Sequence, residues 1–252
     1  MQMLLETEET IAPGLGFAHF GPCHLIWLAV FFLFVVGSSL FYRKLNESGR
    51  RTMRLVLACA ILADELLKMT VLLLGGNYLA RYLPLHLCSV NIFLIAWHAA
   101  KPNQMLDNFL YTVCMPGALF PLLTPTWHTL PPTSLMHIHS FTVHILLATY
   151  PIVLLVGGDI RPNLRQLPKS LGLLAVLTFA AYGANLLFDT NFMFLMEAPE
   201  GTPLVWFEQM FGSHLVGFPV IISILLLVLY APFLFGKRKP NAQALSKEKA
   251  PA

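Results

Sequence analysis

The sequence predicts an all-α fold: a polytopic membrane protein built as a seven-helix transmembrane bundle, N-terminus outside and C-terminus cytoplasmic. Three observations predict it. Of the 252 residues, 56% are hydrophobic and only 12% charged, where a soluble domain carries about a quarter charged residues, and the mean hydropathy is +0.67. The apolar residues gather in runs near the length of about 20 residues that crosses a bilayer's hydrocarbon core. The basic residues fall on alternate links between those runs.

The elements follow in order. Residues 1–19 form a polar segment placed outside, and 1–16 lack the basic start and early apolar core of a cleavable signal, so no processing is expected. Seven spans are read at 22–42, 53–74, 84–100, 105–123, 136–157, 168–188 and 213–235, within one transmembrane domain, 20–236. The second carries Asp64, Glu65 and Lys68 at helix-neighbour spacing, a self-neutralised polar spot facing the bundle interior or, as the sharper alternative, a proton relay. The fourth is interrupted by Pro116 and Pro121 and the fifth by Pro151. Each proline removes a backbone donor, and neighbouring groups must satisfy the carbonyl left behind. Residues 190–212 are rich in aromatics but too short and too charged to span. They are expected to hold an interfacial or re-entrant helix on the outer face, with Trp206 at headgroup level. The tail, 237–252, is basic, cytoplasmic and expected to be disordered. The short links leave no room for a soluble domain.

Charge sets the topology. Fourteen of the 16 Lys+Arg fall on one side: Arg43, Lys44, Arg50, Arg51 and Arg54, then Lys101, then Arg161, Arg165 and Lys169, then Lys237, Arg238, Lys239, Lys247 and Lys249. The positive-inside rule makes that side cytoplasmic. An odd number of spans requires the termini to lie on opposite sides, in agreement.

The polar residues inside this apolar envelope are the candidates for chemistry. Four cysteines (Cys23, Cys59, Cys88, Cys114) show neither a CxxC spacing nor a disulfide framework. Eight of the nine histidines fall in the outer half: His19, His24, His86, His128, His137, His139, His144 and His214. This segregation points to a polar site opening toward the outer leaflet. Cys88 lies about 6 Å along a helix taken to start at Pro84. A free cysteine is ordinarily a small buried apolar side chain, and a Cys23–Cys88 disulfide is a second bland alternative. A nucleophilic Cys88 needs an imidazole or cation to form thiolate in apolar surroundings. The fifth span offers His137, His139 and His144; His137 and His144, seven apart, share a face, and His144 lies about 10 Å deep. For these two the bland alternatives are an interface residue and an interhelical hydrogen bond. Asn91, one turn after Cys88, and Asn191 are candidate donors to a substrate carbonyl.

A zinc site would combine His137 and His139 with His86, His24 or His214. Seven-span zinc hydrolases of the ceramidase and adiponectin-receptor type share the coarse layout but rely on His-x3-His and His-x3-Asp pairs that this chain lacks. No P-loop, GxSxG, HExxH or GxGxxG motif occurs.

The block Leu83-Pro84-Leu85-His86-Leu87-Cys88-Ser89, the fifth-span stretch from His144 to Pro151, and Asn191-Phe-Met-Phe-Leu195 with Ala198-Pro199 resemble the YwaF-type bacterial integral membrane proteins. That group is similar to the eukaryotic transmembrane protein 164 acyltransferase. The resemblance implies coenzyme A-independent transfer of a fatty acyl group between glycerolipids through a cysteine acyl-enzyme. It places the nucleophile at Cys88 and the catalytic histidine at His144, and it matches a further histidine at His214. One departure stands: the eukaryotic block reads Pro-Cys-His, whereas here His86 precedes the cysteine and Ser89 follows it. The expected function is therefore a membrane-embedded lipid acyltransferase or thiol lipase in the bacterial cytoplasmic membrane. Its catalytic residues are Cys88 and His144, with His86, Asn91, His137, Asn191 and His214 binding or supporting. The expected partners are a phospholipid or lysophospholipid substrate and the bilayer, with no nucleic acid, metal or other cofactor. The alternatives are a non-enzymatic seven-span ligand-binding or transport protein and, behind it, a zinc-dependent membrane hydrolase.

Overall fold

A computed structural model describes residues 7–12 and 14–235; the basic tail expected at 237–252 lies outside the described residues. The chain is helical throughout, with no strand among the described residues.

Helix α1 (Pro22–Lys44) starts with proline in its first turn and ends on Arg43 and Lys44, which complement the negative end of the helix. Helix α2 (Glu47–Leu74) is capped by Asn46, whose side chain accepts from Gly49 N at 2.8 Å. Helix α3 (Leu87–Ala100) follows an irregular approach through Pro84. The fourth span is composite: α4 (Gln104–Phe109), a π-helical turn over Leu110–Cys114, and α5 (Met115–Leu123). The wide turn lies directly before Pro116, where the ordinary ladder is interrupted. Helix α6 (Leu135–Gly157) ends on Gly158, whose φ of 79° only glycine adopts freely. Helices α7 (Leu167–Phe188), α8 (Pro203–Phe211) and α9 (Gly217–Phe235) complete the chain.

The centre of the bundle is α6. Phe141, Leu147, Ala148, Tyr150, Val153 and Leu154 on this helix are fully buried, packed among α1, α2, α3 and α5. Pro151 leaves the carbonyl of Leu147 without its helical donor, and the Cys114 thiol on the neighbouring π turn donates to it at 3.8 Å. Helix α9 is tied in by Tyr230, whose hydroxyl donates to Asn108 Oδ1 at 2.8 Å. The outer surfaces of α7 and α9 present exposed apolar side chains, among them Phe179, Leu187 and Leu227, a surface that hydrocarbon rather than water would cover.

Six helical segments are long and apolar enough to cross a membrane: Pro22–Lys44, Ala80–Ala100, Gln104–Leu123, Leu135–Gly157, Leu164–Phe188 and His214–Phe233. Of the seven expected spans, α2 is the exception. It is long enough, since 28 residues extend about 42 Å, but charged residues interrupt its apolar run. Within it Lys68 Nζ pairs with Glu65 at 2.5 Å, His139 Nδ1 lies 3.1 Å from Asp64, and Thr142 donates to the same carboxylate. The polar spot is thus satisfied partly within α2 and partly by α6.

Two close approaches hold the ends. The segment before α1 docks through Phe17, whose N–H bonds His128 O at 2.8 Å; a Cβ on Gly16 would lie 2.0 Å from that oxygen. At the other end Asp159 receives Arg50 at 2.5 Å, Arg54 at 3.1 Å and the Tyr42 hydroxyl at 2.5 Å. Helix α8 has nine residues, too few to span, and leaves Trp206 exposed.

Candidate active site

Helix α3 begins at Leu87, not at Pro84 as the apolar pattern led one to expect. Leu83 is non-helical and His86 keeps extended backbone, so the chain passes Pro84 before it turns helical. Cys88 is therefore the second residue of the helix rather than one turn inside it. The first intrahelical bond runs from Val90 N to His86 O at 2.9 Å. The amides of Leu87, Cys88 and Ser89 precede it and have no helical acceptor. The positive end of the helix favours negative charge at this position.

His144 arrives from the middle of α6. Its Nδ1 lies 2.6 Å from the carbonyl oxygen of Ser140, one turn back on the same helix. That carbonyl only accepts, so Nδ1 carries the proton and Nε2 presents its lone pair. Nε2 lies 3.2 Å from Cys88 Sγ, so the thiol donates to the imidazole. Trp127 stacks on the ring, centroids 5.0 Å apart and planes 19° from parallel, which fixes the ring plane. The arrangement is a thiol, a base in reach of it, and an acceptor orienting the base.

The other residues singled out in the sequence are spread around this pair. Asn91 is buried below Cys88, and its Oδ1 has no hydrogen-bond partner. His86 is the N-cap residue of α3, and its Nδ1 accepts from Met193 N at 3.3 Å, which binds it to the 191–195 loop. Asn191 is committed to that loop: Oδ1 accepts from Met196 N at 3.0 Å and Nδ2 donates to Glu197 O at 3.0 Å. Its amide is thereby used on its own loop. His214 donates to Phe194 O at 3.0 Å and braces the loop from the opposite side. The bracing matters because Met193 and Phe194 hold φ of 56° and 55°, strained for side chains of their size. His137 faces α1 instead: its Nε2 accepts from Trp27 Nε1 at 3.0 Å, with Cys23 Sγ 3.8 Å away. All four cysteines are free.

Trp127, which reaches His144 from the loop after α5, has no signal in the sequence. Ser140 was within reach of inference, since a carbonyl four residues back is the natural acceptor for a helical histidine's Nδ1. The outward histidines also find ordinary partners: His24 bonds Leu122 O at 2.8 Å, and His19 and His128 both bond Pro125 O. These three bond backbone carbonyls at the end of α5 and in the loop after it, and do not converge on one site.

The TMEM164 family model matches residues 19–230, a stretch that takes in α1 to α8 and most of α9. The chain belongs to the TMEM164 family. No curated protein and no solved structure matches it. In this TMEM164-family protein both members of the Cys88–His144 pair lie inside the matched region. Among the described residues, no group of three or more His, Cys, Asp or Glu is placed to hold a metal ion.

Proposed function

We propose that this TMEM164-family membrane protein transfers fatty acyl groups between glycerolipids through an acyl-Cys88 intermediate, without coenzyme A. The observation that carries the reading is the 3.2 Å contact between Cys88 Sγ and the unprotonated Nε2 of His144. Cys88 sulfur attacks the carbonyl carbon of a phospholipid ester while its proton passes to His144 Nε2. The tetrahedral oxyanion forms beside the positive end of α3, which favours such charge. Collapse expels the lysophospholipid alkoxide, which takes the proton back from His144, and the acyl thioester remains. A lysophospholipid hydroxyl then gives its proton to His144 and attacks the thioester, which restores the thiol and completes transfer; water in that role gives hydrolysis. The lipid enters sideways from the bilayer.

In this proposal α2 is the seventh span. Its charges pair with one another and with His139 and Thr142, so they are not offered bare to lipid. The N-terminus then lies outside, the C-terminus is cytoplasmic, and the compartment is the bacterial cytoplasmic membrane. The test is acyl exchange by purified protein in lipid vesicles, followed by mass spectrometry. Wild type yields an acyl adduct on the Cys88 peptide, and Cys88→Ala yields neither adduct nor exchange; exchange by Cys88→Ala overturns the proposal. The Asp64–Glu65–Lys68–His139 cluster, with Glu65 and Lys68 buried, favours a second reading, proton-coupled transport without acyl chemistry. Proton uptake by vesicles that survives Cys88→Ala and is lost in Asp64→Asn supports that alternative.

A further inference from the structure

Among the described residues three asparagines are buried, Asn91 on α3, Asn108 on α4 and Asn185 on α7. Two of them use both ends of their amides. Asn108 Oδ1 accepts from Asn163 N at 2.9 Å and from the Tyr230 hydroxyl at 2.8 Å, and its Nδ2 donates to Ser170 Oγ at 3.3 Å. Asn185 Oδ1 accepts from Phe192 N at 2.6 Å and from the Thr190 hydroxyl at 3.1 Å, and its Nδ2 donates to Phe192 O at 3.0 Å. Asn91 is different: it is 1% exposed, and its Oδ1 has no partner. A buried polar atom left unbonded costs the fold, and an apolar side chain there would avoid that cost.

This amide stands beside the thiol. Asn91 follows Cys88 by three residues on α3, so the two are neighbours on adjacent turns, with Cβ atoms about 5–6 Å apart. Side chains on a helix lean toward its N-terminus. The Asn91 amide therefore leans toward the turn on which Cys88 Sγ meets His144 Nε2 at 3.2 Å. It is the one side-chain amide on α3. A half-turn about χ2 exchanges Oδ1 and Nδ2 in nearly the same volume, and no hydrogen bond to Oδ1 opposes it. The residue is thus free to present an N–H to an oxygen that arrives with a substrate.

We infer that Asn91 is a further catalytic residue, whose Nδ2 donates to the ester carbonyl oxygen as negative charge develops on it. The inference rests on the acyl-Cys88 reading proposed above. As the bond from Sγ to the carbonyl carbon forms, the thiol proton passes to His144 Nε2 and the carbonyl π electrons move onto oxygen. The Asn91 N–H meets that oxygen beside the positive end of α3. The electron pair returns when the bond to the lysophospholipid oxygen breaks, and that oxygen takes the proton from His144. Attack on the thioester builds a second oxyanion at the same place. Asn91 gains and loses no proton in either half.

The experiment compares two reactions of Cys88 in the purified full chain, held in vesicles of phosphatidylcholine and phosphatidylethanolamine, each followed on the Cys88 peptide by mass spectrometry. Acyl transfer from the phospholipid ester builds an oxyanion; alkylation by iodoacetamide, a displacement at a saturated carbon, builds none. In Asn91→Leu, which keeps the branch at Cγ and removes the donor, acylation is expected to fall about 10²–10³-fold while alkylation holds its wild-type rate. Asn91→Ala repeats the comparison with a side chain that adds no bulk, and melting temperatures in detergent identify the folded variants. Wild-type acylation by either folded variant overturns the inference and leaves acyl-Cys88 chemistry standing. Equal losses of acylation and alkylation assign Asn91 to packing and overturn it too. A wild-type protein that is alkylated at Cys88 but never acylated overturns the acyl-Cys88 reading, and the inference with it.

Discussion

Replacing His144 by alanine removes the base 3.2 Å from Cys88 Sγ and leaves the thiol at its helix start. If the imidazole merely packed beside the thiol, its loss would leave the acylation rate nearly unchanged. A base that also takes the proton during attack contributes about 10²–10⁴-fold, or roughly 3–5 kcal/mol. The geometry puts His144 in the second class, because Nε2 is in contact with the attacking atom and Nδ1 is pinned to Ser140. Acylation in His144→Ala is therefore expected to fall by about 10²–10⁴-fold, with part of the loss restored by added imidazole. The assay is the rate of adduct formation on the Cys88 peptide with a lipid-like fluorophosphonate or iodoacetamide probe. Peptide-resolved mass spectrometry separates that rate from reaction at Cys59, which is exposed. A His144→Ala rate equal to wild type, while Cys88→Ala abolishes the adduct, refutes the pairing as chemistry.

Other outcomes follow from the same geometry. Trp127→Ala removes a buried indole stacked on His144 and is expected to cost about 3–5 kcal/mol in thermal unfolding, whereas Trp127→Phe keeps a stacking ring and most of the acylation rate. Asp159→Asn takes the charge from the group that Arg50, Arg54 and Tyr42 share; a loss of about 1–3 kcal/mol is expected, read as a lowered melting temperature in detergent. Gly16→Ala drives a Cβ into the His128 carbonyl, so the segment before α1 should undock and limited proteolysis should cut there first. Tags at the two termini, probed in intact cells and in inverted vesicles, are expected on opposite sides of the membrane; both on one side would show that α2 does not cross.

Much of the helix layout was legible because apolar run length and proline position are local properties of the chain. The expected span 136–157 and the observed α6, Leu135–Gly157, differ by one residue at its start. The composite fourth span and the short α8 likewise follow from Pro116 and from the polar residues within 190–212. The start of α3 was misplaced by three residues. Pro84 fits a first helical turn, and the extended conformation of His86 depends on its contact with Met193, more than 100 residues away. The same non-local cause hid the duties of Asn191 and His214. Both support two strained backbone residues, and strain has no signature in a single sequence.

Polar groups in an apolar bundle are explained only when their partners are counted, and the count separates the histidines. His19, His24, His128 and His214 bond backbone carbonyls, His137 accepts from Trp27, His86 accepts from Met193, and His139 faces two carboxylates. Each of those contacts helps the fold without chemistry. His144 has one nitrogen on a carbonyl at 2.6 Å and the other 3.2 Å from a thiol, a closer thiol contact than the 3.8 Å between His137 and Cys23. Structural need accounts for the first contact; the second adds little stability, because sulfur is a weak donor. The Oδ1 of Asn91, one turn below the thiol, and the Nε1 of Trp127, whose ring stacks on His144, are buried without hydrogen-bond partners. A close thiol–imidazole contact with unspent polar atoms beside it is what a site awaiting a polar substrate group requires, and a core packed for stability alone gains nothing from that contact.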